Sequence, residues 1–462
     1  MGRLIRPPGP LNTWSKLLLV ALVFALGLLF RLTVVQAWHV PAGDGMDYYA
    51  LSQELRLHGR FAYGPWPAPL SYARMPGYPL FLAYLAVHAA PLAIAEHVVR
   101  ATLANVVLDA GTALLVYLVL REQGVRRAVV GAVLVFICPL LVLLSCYGLG
   151  ETLATFLTTL AVYLLARAMQ GNLVRNAVLA GVVLGLGMLT RADTLTLAPA
   201  VLLAFYWARG TARRRLLAFG LCLLMAAAVF APWPLRNLAR FDHAYPAAWY
   251  WRSRVGTPLP MGFIRWARTF CAGRPNENFV DLMITVGGNL DAHNPTVLQP
   301  AMYDSAAEKQ RVAALFAQYN REHLSPAVDA GFTALAAERE RRAPLRTFVE
   351  LPLRRLLALW SSVPEHELPM RVGFLHLPEQ RSRFALFDNA LFIAALLGAA
   401  RLFGRRAAAG PPAALYGRRL AVMLFSCMLL RSVVLSALVA IGLTQRHIVE
   451  VFPMLITLAA AL

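Results

Sequence analysis

The chain has 462 residues, of which 59% are hydrophobic, with a mean hydropathy of +0.57 and a formal net charge of +20. Soluble domains use roughly 45–50% apolar residues, so composition excludes a soluble globular protein and indicates an integral membrane protein. The charge is almost wholly arginine, Lys16 and Lys309 being the only lysines. Beside apolar runs such residues act as topology signals and contacts for anionic lipid, so the membrane, and no nucleic acid, is the expected partner.

A spanning helix needs roughly 20 apolar residues. The first such run covers residues 15–38, with Arg3, Arg6 and Lys16 before it and Arg31 inside it. With no small-residue cleavage site after it, it reads as a retained signal anchor whose N-terminus is cytoplasmic. The next run, 80–95, is short and broken by His88 and Pro91. Only if it lies on the outer surface do the basic loops at Arg121–Arg127, Arg209–Arg215 and Gly404–Arg406 share one side, and this reading is adopted.

Further spans then fall near 97–120, 127–147, 152–169, 175–190, 193–208, 215–233, 384–403, 419–442 and 448–462. The expected fold is an all-α polytopic membrane protein of about ten transmembrane helices. It divides into an anchor (1–38), a first outer loop with interfacial helices (39–96), a bundle (97–234), an outer region between the seventh and eighth spans (235–383) and C-terminal helices (384–462). No fixed-period repeat is present. The outer region holds Trp249, Trp251, Trp266, Asp281, Asp291 and Glu365 without spacing that marks a soluble enzyme, and reads as a lid or acceptor-binding surface. Five cysteines without CxxC or Cys/His spacing support neither a zinc site nor a disulfide framework.

Against this apolar background residues 41–79 are a polar island. They contain Asp44, Asp47, Glu54, Arg60 and Arg74 among Tyr48, Tyr49, Tyr63, Trp66, Tyr72 and Tyr78. Asp44 and Asp47 come just after the first span, flanked by Gly43 and Gly45. A carboxylate there can deprotonate an acceptor, and a phosphate leaving group needs no protonating acid, so one base suffices. The same aspartates also suit the start of a helix near Tyr48. Arg74 precedes a Pro-Gly-Tyr-Pro turn and can clamp a phosphate bidentately or sit as an interface arginine.

Other ionisable groups fall at the outer ends of spans. Glu151 is a second acceptor-side carboxylate or a helix-dipole partner. Arg191 and Asp193 read as a mutual salt bridge, and Arg236 follows Pro232, Trp233 and Pro234 at a membrane boundary where anchoring explains most of the pattern. Arg446, between Gln445 and His447, is a phosphate candidate. Arg431, near mid-span, requires an interior partner, and a structural ion pair accounts for it best.

The order Asp44-x-x-x-Tyr48, Gly59–Tyr63 and Arg74-x-Pro-Gly-Tyr-Pro79, followed by the Glu151 segment, the Thr190-Arg-Ala-Asp193 turn, the Pro232–Asn237 boundary and the Gln445–His447 step, resembles the GT-C membrane glycosyltransferases. The nearest branch includes the protein O-mannosyltransferases and aminoarabinose transferases. The resemblance covers most of the chain and is weakest over 240–380. It implies inverting transfer of a sugar from a polyprenyl-phosphate-linked donor to a lipid, glycan or protein acceptor, without a metal or other cofactor. It also implies an inner (plasma) membrane location with the site facing the periplasm or outside. Asp44 matches the family's catalytic base and Asp47 is the second candidate, with Glu151 as a further catalytic carboxylate. Tyr48, Arg74, Tyr78, Arg191, Arg236 and Arg446 are the substrate-binding candidates. In this family an acid often follows the first aspartate, whereas here Gly45 does. The competing class is a transporter or flippase that binds lipid-linked sugars without reacting, although the paired repeats and broken midplane helices of transporters are not evident.

Overall fold

The computed structural model describes residues 13–35, 44–65, 67–85, 94–123, 125, 128–242, 244, 261–272, 290–291, 293, 302–323, 325–361, 371–372, 375–404, 411–438 and 445–462. Arg3, Arg6, Gly43, Trp66, His88, Pro91, Trp249, Trp251, Asp281 and Glu365 lie outside the described residues.

Among the described residues the fold is helical apart from a two-residue antiparallel pair, β1 (Arg371–Val372) with β2 (Leu375–His376). The first part of the bundle is built from α1 (Thr13–Val35), α4 (Ile94–Glu122), α5 (Ala128–Ile137), α6 (Pro139–Ser145), α7 (Glu151–Gln170), α8 (Leu173–Thr190), α9 (Ala198–Trp207) and α10 (Ala212–Phe230). Between α1 and α4 lie α2 (Asp44–His58) and α3 (Gly77–Leu85), and α10 is followed by α11 (Pro232–Phe241). Residues 261–361 contribute α12 (Met261–Ala267), α13 (Ala306–Glu322), α14 (Pro326–Arg342) and α15 (Leu351–Ser361). The chain closes with α16 (Leu377–Gly404), α17 (Pro411–Leu438) and α18 (Phe452–Ala460).

Six helices are long and apolar enough to cross a membrane, within Leu17–Val35, Glu96–Glu122, Glu151–Gln170, Leu173–Thr190, Arg383–Gly404 and Leu415–Leu438. The number rises to eight if each bent pair, α5 with α6 (56°) and α10 with α11 (41°), is one span. Both bends fall at prolines, Pro139 and Pro232, which lack the N–H that would continue the helical ladder. The expected spans at 193–208 and 448–462 are apolar, but each is divided into a 3-10 turn (Ala192–Leu197, Gln445–Val451) and a short helix. That division accounts for the difference from about ten. The described residues of α3, nine in number, are fewer than a span needs.

Close helix approaches rest on glycine, as expected where apolar lipid cannot drive helices together and backbones must pack directly. A Cβ on Gly181 of α8 would run into the Cys222 carbonyl of α10, and one on Gly185 would meet the Val229 Cβ at 2.6 Å. The main core runs through the bundle from Tyr78 and Leu82 to Ile448–Ala461. A second core, around Phe263, Trp266, Phe316 and Phe332, joins α12, α13 and α14. Within it Arg339 pairs with Glu308 at 2.6 Å, and the Trp266 indole N–H donates to the same carboxylate at 3.3 Å.

Candidate active site

The polar island folds so that its two aspartates share the first turn of α2, where the helix dipole favours negative charge. The chain then returns through Arg74 into α3. Gly77 allows that return to press on the end of α8, since a Cβ there would lie 2.8 Å from the Leu189 carbonyl and 2.7 Å from Thr190 Oγ1. The start of α3 thereby lies against Leu189 and Thr190, the residues just before Arg191. Glu151 opens α7, and the 3-10 turn Gln445–Val451 supplies Arg446 and Glu450.

These elements meet in one ionic chain. Arg74 donates to Asp47 at 2.9 Å and also grips Asp44. The other Asp44 oxygen accepts from Arg446 at 2.8 Å, across 402 residues of sequence. Arg446 also binds Glu151, which accepts from Arg191 at 2.9 Å. Arg191 continues to Asp193 at 3.2 Å and Glu450 at 2.8 Å. Arg431 closes the far end on Asp193 at 2.7 Å and on Glu450. Five carboxylates thus face four guanidiniums, with formally one negative charge in excess.

Exposure varies along the chain. Asp44 is 30% exposed, Arg191 and Asp193 20% each, Arg74 19% and Arg446 15%, while Arg431, Glu151 and Glu450 are buried. Asp44 is the most exposed carboxylate of the chain, and it lies between Arg74 and Arg446. Burial by itself would raise the Asp44 carboxyl, but Arg74 and Arg446 outweigh it and hold it below the ordinary carboxylate range. The Tyr48 ring packs edge-on against Tyr78 at 5.2 Å and lies under the Arg74 guanidinium at 5.7 Å.

Of the residues selected from sequence, Asp44, Asp47, Tyr48, Arg74, Tyr78, Glu151, Arg191 and Arg446 come together here. Arg236 does not join the ionic chain. It donates to the Ser71 carbonyl at 2.7 Å and to Asn237 Oδ1 at 2.8 Å, and lies over the Trp233 ring at 4.6 Å. Glu151 is buried and engaged by two arginines, Arg191 and Arg446. Arg431 has the interior partners its position requires, both of them carboxylates, and Arg191 pairs with Asp193 but with two glutamates as well.

Glu450 was not selected from sequence. The signal was its standing as the one charged residue in the apolar run 448–462. A second unselected acid, Asp109 of α4, sits 3.3 Å from Arg31 deep between α1 and α4. Among the described residues no group of three or more His, Cys, Asp or Glu side chains is arranged to hold a metal ion.

Residues 78–235, less than half of the chain, match the family described as dolichyl-phosphate-mannose-protein mannosyltransferase. Among solved structures the chain is similar to ArnT from Cupriavidus metallidurans bound to undecaprenyl phosphate, with 16% identity over 90% of this chain and 77% of that one and a TM-score of 0.41. The same protein in its apo state matches at 15% identity, 91% and 78% coverage and a TM-score of 0.42. It is also similar to an Archaeoglobus fulgidus oligosaccharyltransferase tethered with an acceptor peptide, at 15% identity and a TM-score of 0.41, covering 96% of this chain but only 56% of that one. No protein with a curated description matches. Over residues 78–235 the chain is thus similar to a glycosyltransferase family.

Proposed function

We propose that the protein transfers a sugar from a polyprenyl-phosphate donor to a lipid, glycan or protein acceptor at the outer face of the membrane, with inversion and with Asp44 as the base. The observation that carries this reading is the most exposed carboxylate of the ionic chain, which stands between two guanidiniums from opposite ends of the sequence. Arg74 and Arg446 take the donor phosphate, since guanidinium and phosphate pair bidentately. Asp44 then accepts the proton of the acceptor nucleophile as that atom attacks the anomeric carbon. The C–O bond to phosphate breaks with its electron pair on the phosphate, which leaves as a stable anion between the two arginines.

Each carboxylate oxygen offers two lone-pair sites, so Asp44 can keep one arginine contact while receiving the proton. In the resting site its low proton affinity makes it a weak base. A donor phosphate that shares Arg74 and Arg446 withdraws positive charge from Asp44 and strengthens it. Glu151, Arg191, Asp193, Glu450 and Arg431 hold Arg446 in position and touch no substrate. Asp47 anchors Arg74 and is the alternative base.

Purified protein in proteoliposomes is expected to consume a radiolabelled polyprenyl-phosphate sugar and release polyprenyl phosphate. Movement of intact donor across sealed vesicles without release of polyprenyl phosphate would replace this reading with a flippase.

A further inference from the structure

A second buried charge pair takes no part in the ionic chain. Arg31 of α1 and Asp109 of α4 stand 3.3 Å apart, 0% and 1% exposed. Charges at membrane depth are expensive, and a buried ion pair adds little stability over apolar residues of the same shape. What Arg31 holds besides Asp109 is therefore the informative part. Its Nη2 donates to the Val135 carbonyl at 2.7 Å, and its Nη1 donates to Ser145 Oγ at 3.2 Å.

Both partners follow from the 56° break between α5 and α6. In an unbroken helix the Val135 carbonyl would accept from the backbone N–H of residue 139, but that residue is proline and has none. Arg31 supplies the missing donor, as a neighbouring helix must where a proline interrupts a span. Ser145 ends α6, and its hydroxyl donates in turn to the Val142 carbonyl at 2.8 Å. Asn105, one turn before Asp109 on α4, donates to the Tyr147 carbonyl at 2.8 Å and to the Ser145 carbonyl at 3.4 Å. Helix ends leave such carbonyls without donors of their own. Arg31 and Asn105, with Asp109 neutralising Arg31, thus fix the break, the end of α6 and the turn after it.

That turn leads to the candidate site. A Cβ on Gly150, the residue before Glu151, would lie 3.3 Å from the Tyr78 Cβ. The short α6 touches both α7, which Glu151 opens, and the Gln445–Val451 turn that carries Arg446. We infer that Arg31 is a positioning residue: it clamps the bent α5–α6 pair so that Glu151 stands where Arg446 and Arg191 bind it. The inference rests on the reading above only in taking Arg446 as a contact of the donor phosphate. A lysine at position 31 keeps the charge facing Asp109 but lacks the planar fork that reaches two acceptors at once, so the clamp can be separated from the ion pair.

The test compares the full-length wild type with Arg31→Lys and Asn105→Leu in proteoliposomes, after monodisperse elution has shown each to be folded. Cys146, which follows Ser145 and is 1% exposed, reports the turn directly. Maleimide labelling mapped by mass spectrometry should find it protected in the wild type and labelled severalfold faster in both variants. The KM for a polyprenyl-phosphate sugar, followed as release of polyprenyl phosphate, should rise about tenfold in Arg31→Lys, the size of one weakened hydrogen bond to a charged group, with a smaller fall in kcat. Asn105→Leu removes the donor to the turn and no charge, and covers the case in which Arg31→Lys does not fold. Gly148→Ala lies in the same turn, where a Cβ meets nothing within 4 Å, and should change neither measurement. A folded Arg31→Lys that matches the wild type in both measurements would reduce Arg31 to its ion pair and overturn the clamp, and so would faster labelling with an unchanged KM. Labelling needs no donor, so a wild type that releases no polyprenyl phosphate would sink the transferase reading while Cys146 still decides the clamp.

Discussion

The inner end of the ionic chain gives an asymmetric prediction. Arg431 is 2% exposed and is the shared partner of Asp193 and Glu450, the latter 1% exposed. Replacing Arg431 with Met leaves two carboxylates in the bundle with Arg191 alone between them. Removing one partner of a buried pair costs about 3–5 kcal/mol, because a charge is left uncompensated. Glu450→Gln keeps the shape and removes the formally surplus negative charge, so its cost is limited to weakened hydrogen bonds, about 1–2 kcal/mol. Combining the two should be less harmful than their sum, with a coupling of about 0.5–3 kcal/mol, as for residues in one network. Denaturant unfolding in detergent, followed by intrinsic fluorescence on the four proteins of the cycle, measures this. Glu450→Gln as damaging as Arg431→Met, or strict additivity, would refute the account of the cluster as a charge-balanced strut.

Two further outcomes follow from the geometry. A depressed carboxyl contributes stability above its ordinary value of 3.8 and loses it as pH falls through its lower folded value. The acid limb of kcat/KM, which reports the free enzyme, should accordingly lie below pH 3.8 where Asp44 governs it. Arg446→Gln should move that limb upward, and an unmoved limb would separate Arg446 from the base. In the bundle, Gly181→Val should push α8 from α10 at a cost of about 1–3 kcal/mol by overpacking, lowering the monodisperse yield in detergent chromatography. Gly171→Ala, where a Cβ meets nothing within 4 Å, should leave that yield unchanged.

The polar island could be read from sequence because charge at a membrane boundary is expensive and therefore conspicuous, and most of the residues selected on that basis meet in space. The pairing was not legible. Nothing in the local pattern ties Asp44 to Arg446 across the chain, since that contact depends on how α7 and the final 3-10 turn pack. Glu450 was missed because it was absorbed into an apolar run read as a helix. Arg236 was grouped with the other boundary arginines on composition, but the proline break at Pro232 starts a separate helix, from which it reaches the Ser71 carbonyl and the Trp233 ring.

The spans were legible wherever a helix is continuous. The number of continuous helices among the described residues differs from the number of apolar runs where a run of spanning length is divided by a 3-10 turn, as at 192–207 and 445–460. Hydropathy reports the environment of a segment and not its backbone geometry.

The most direct measurement of the central claim compares Asp44→Asn and Asp47→Asn with the wild type in proteoliposomes given a polyprenyl-phosphate sugar and acceptor. With folding verified by monodisperse elution, Asp44→Asn should lose transfer by about 10²–10⁴-fold, the range for a general base, while Asp47→Asn keeps a measurable fraction with a raised KM for donor. Wild-type transfer by Asp44→Asn would contradict the account.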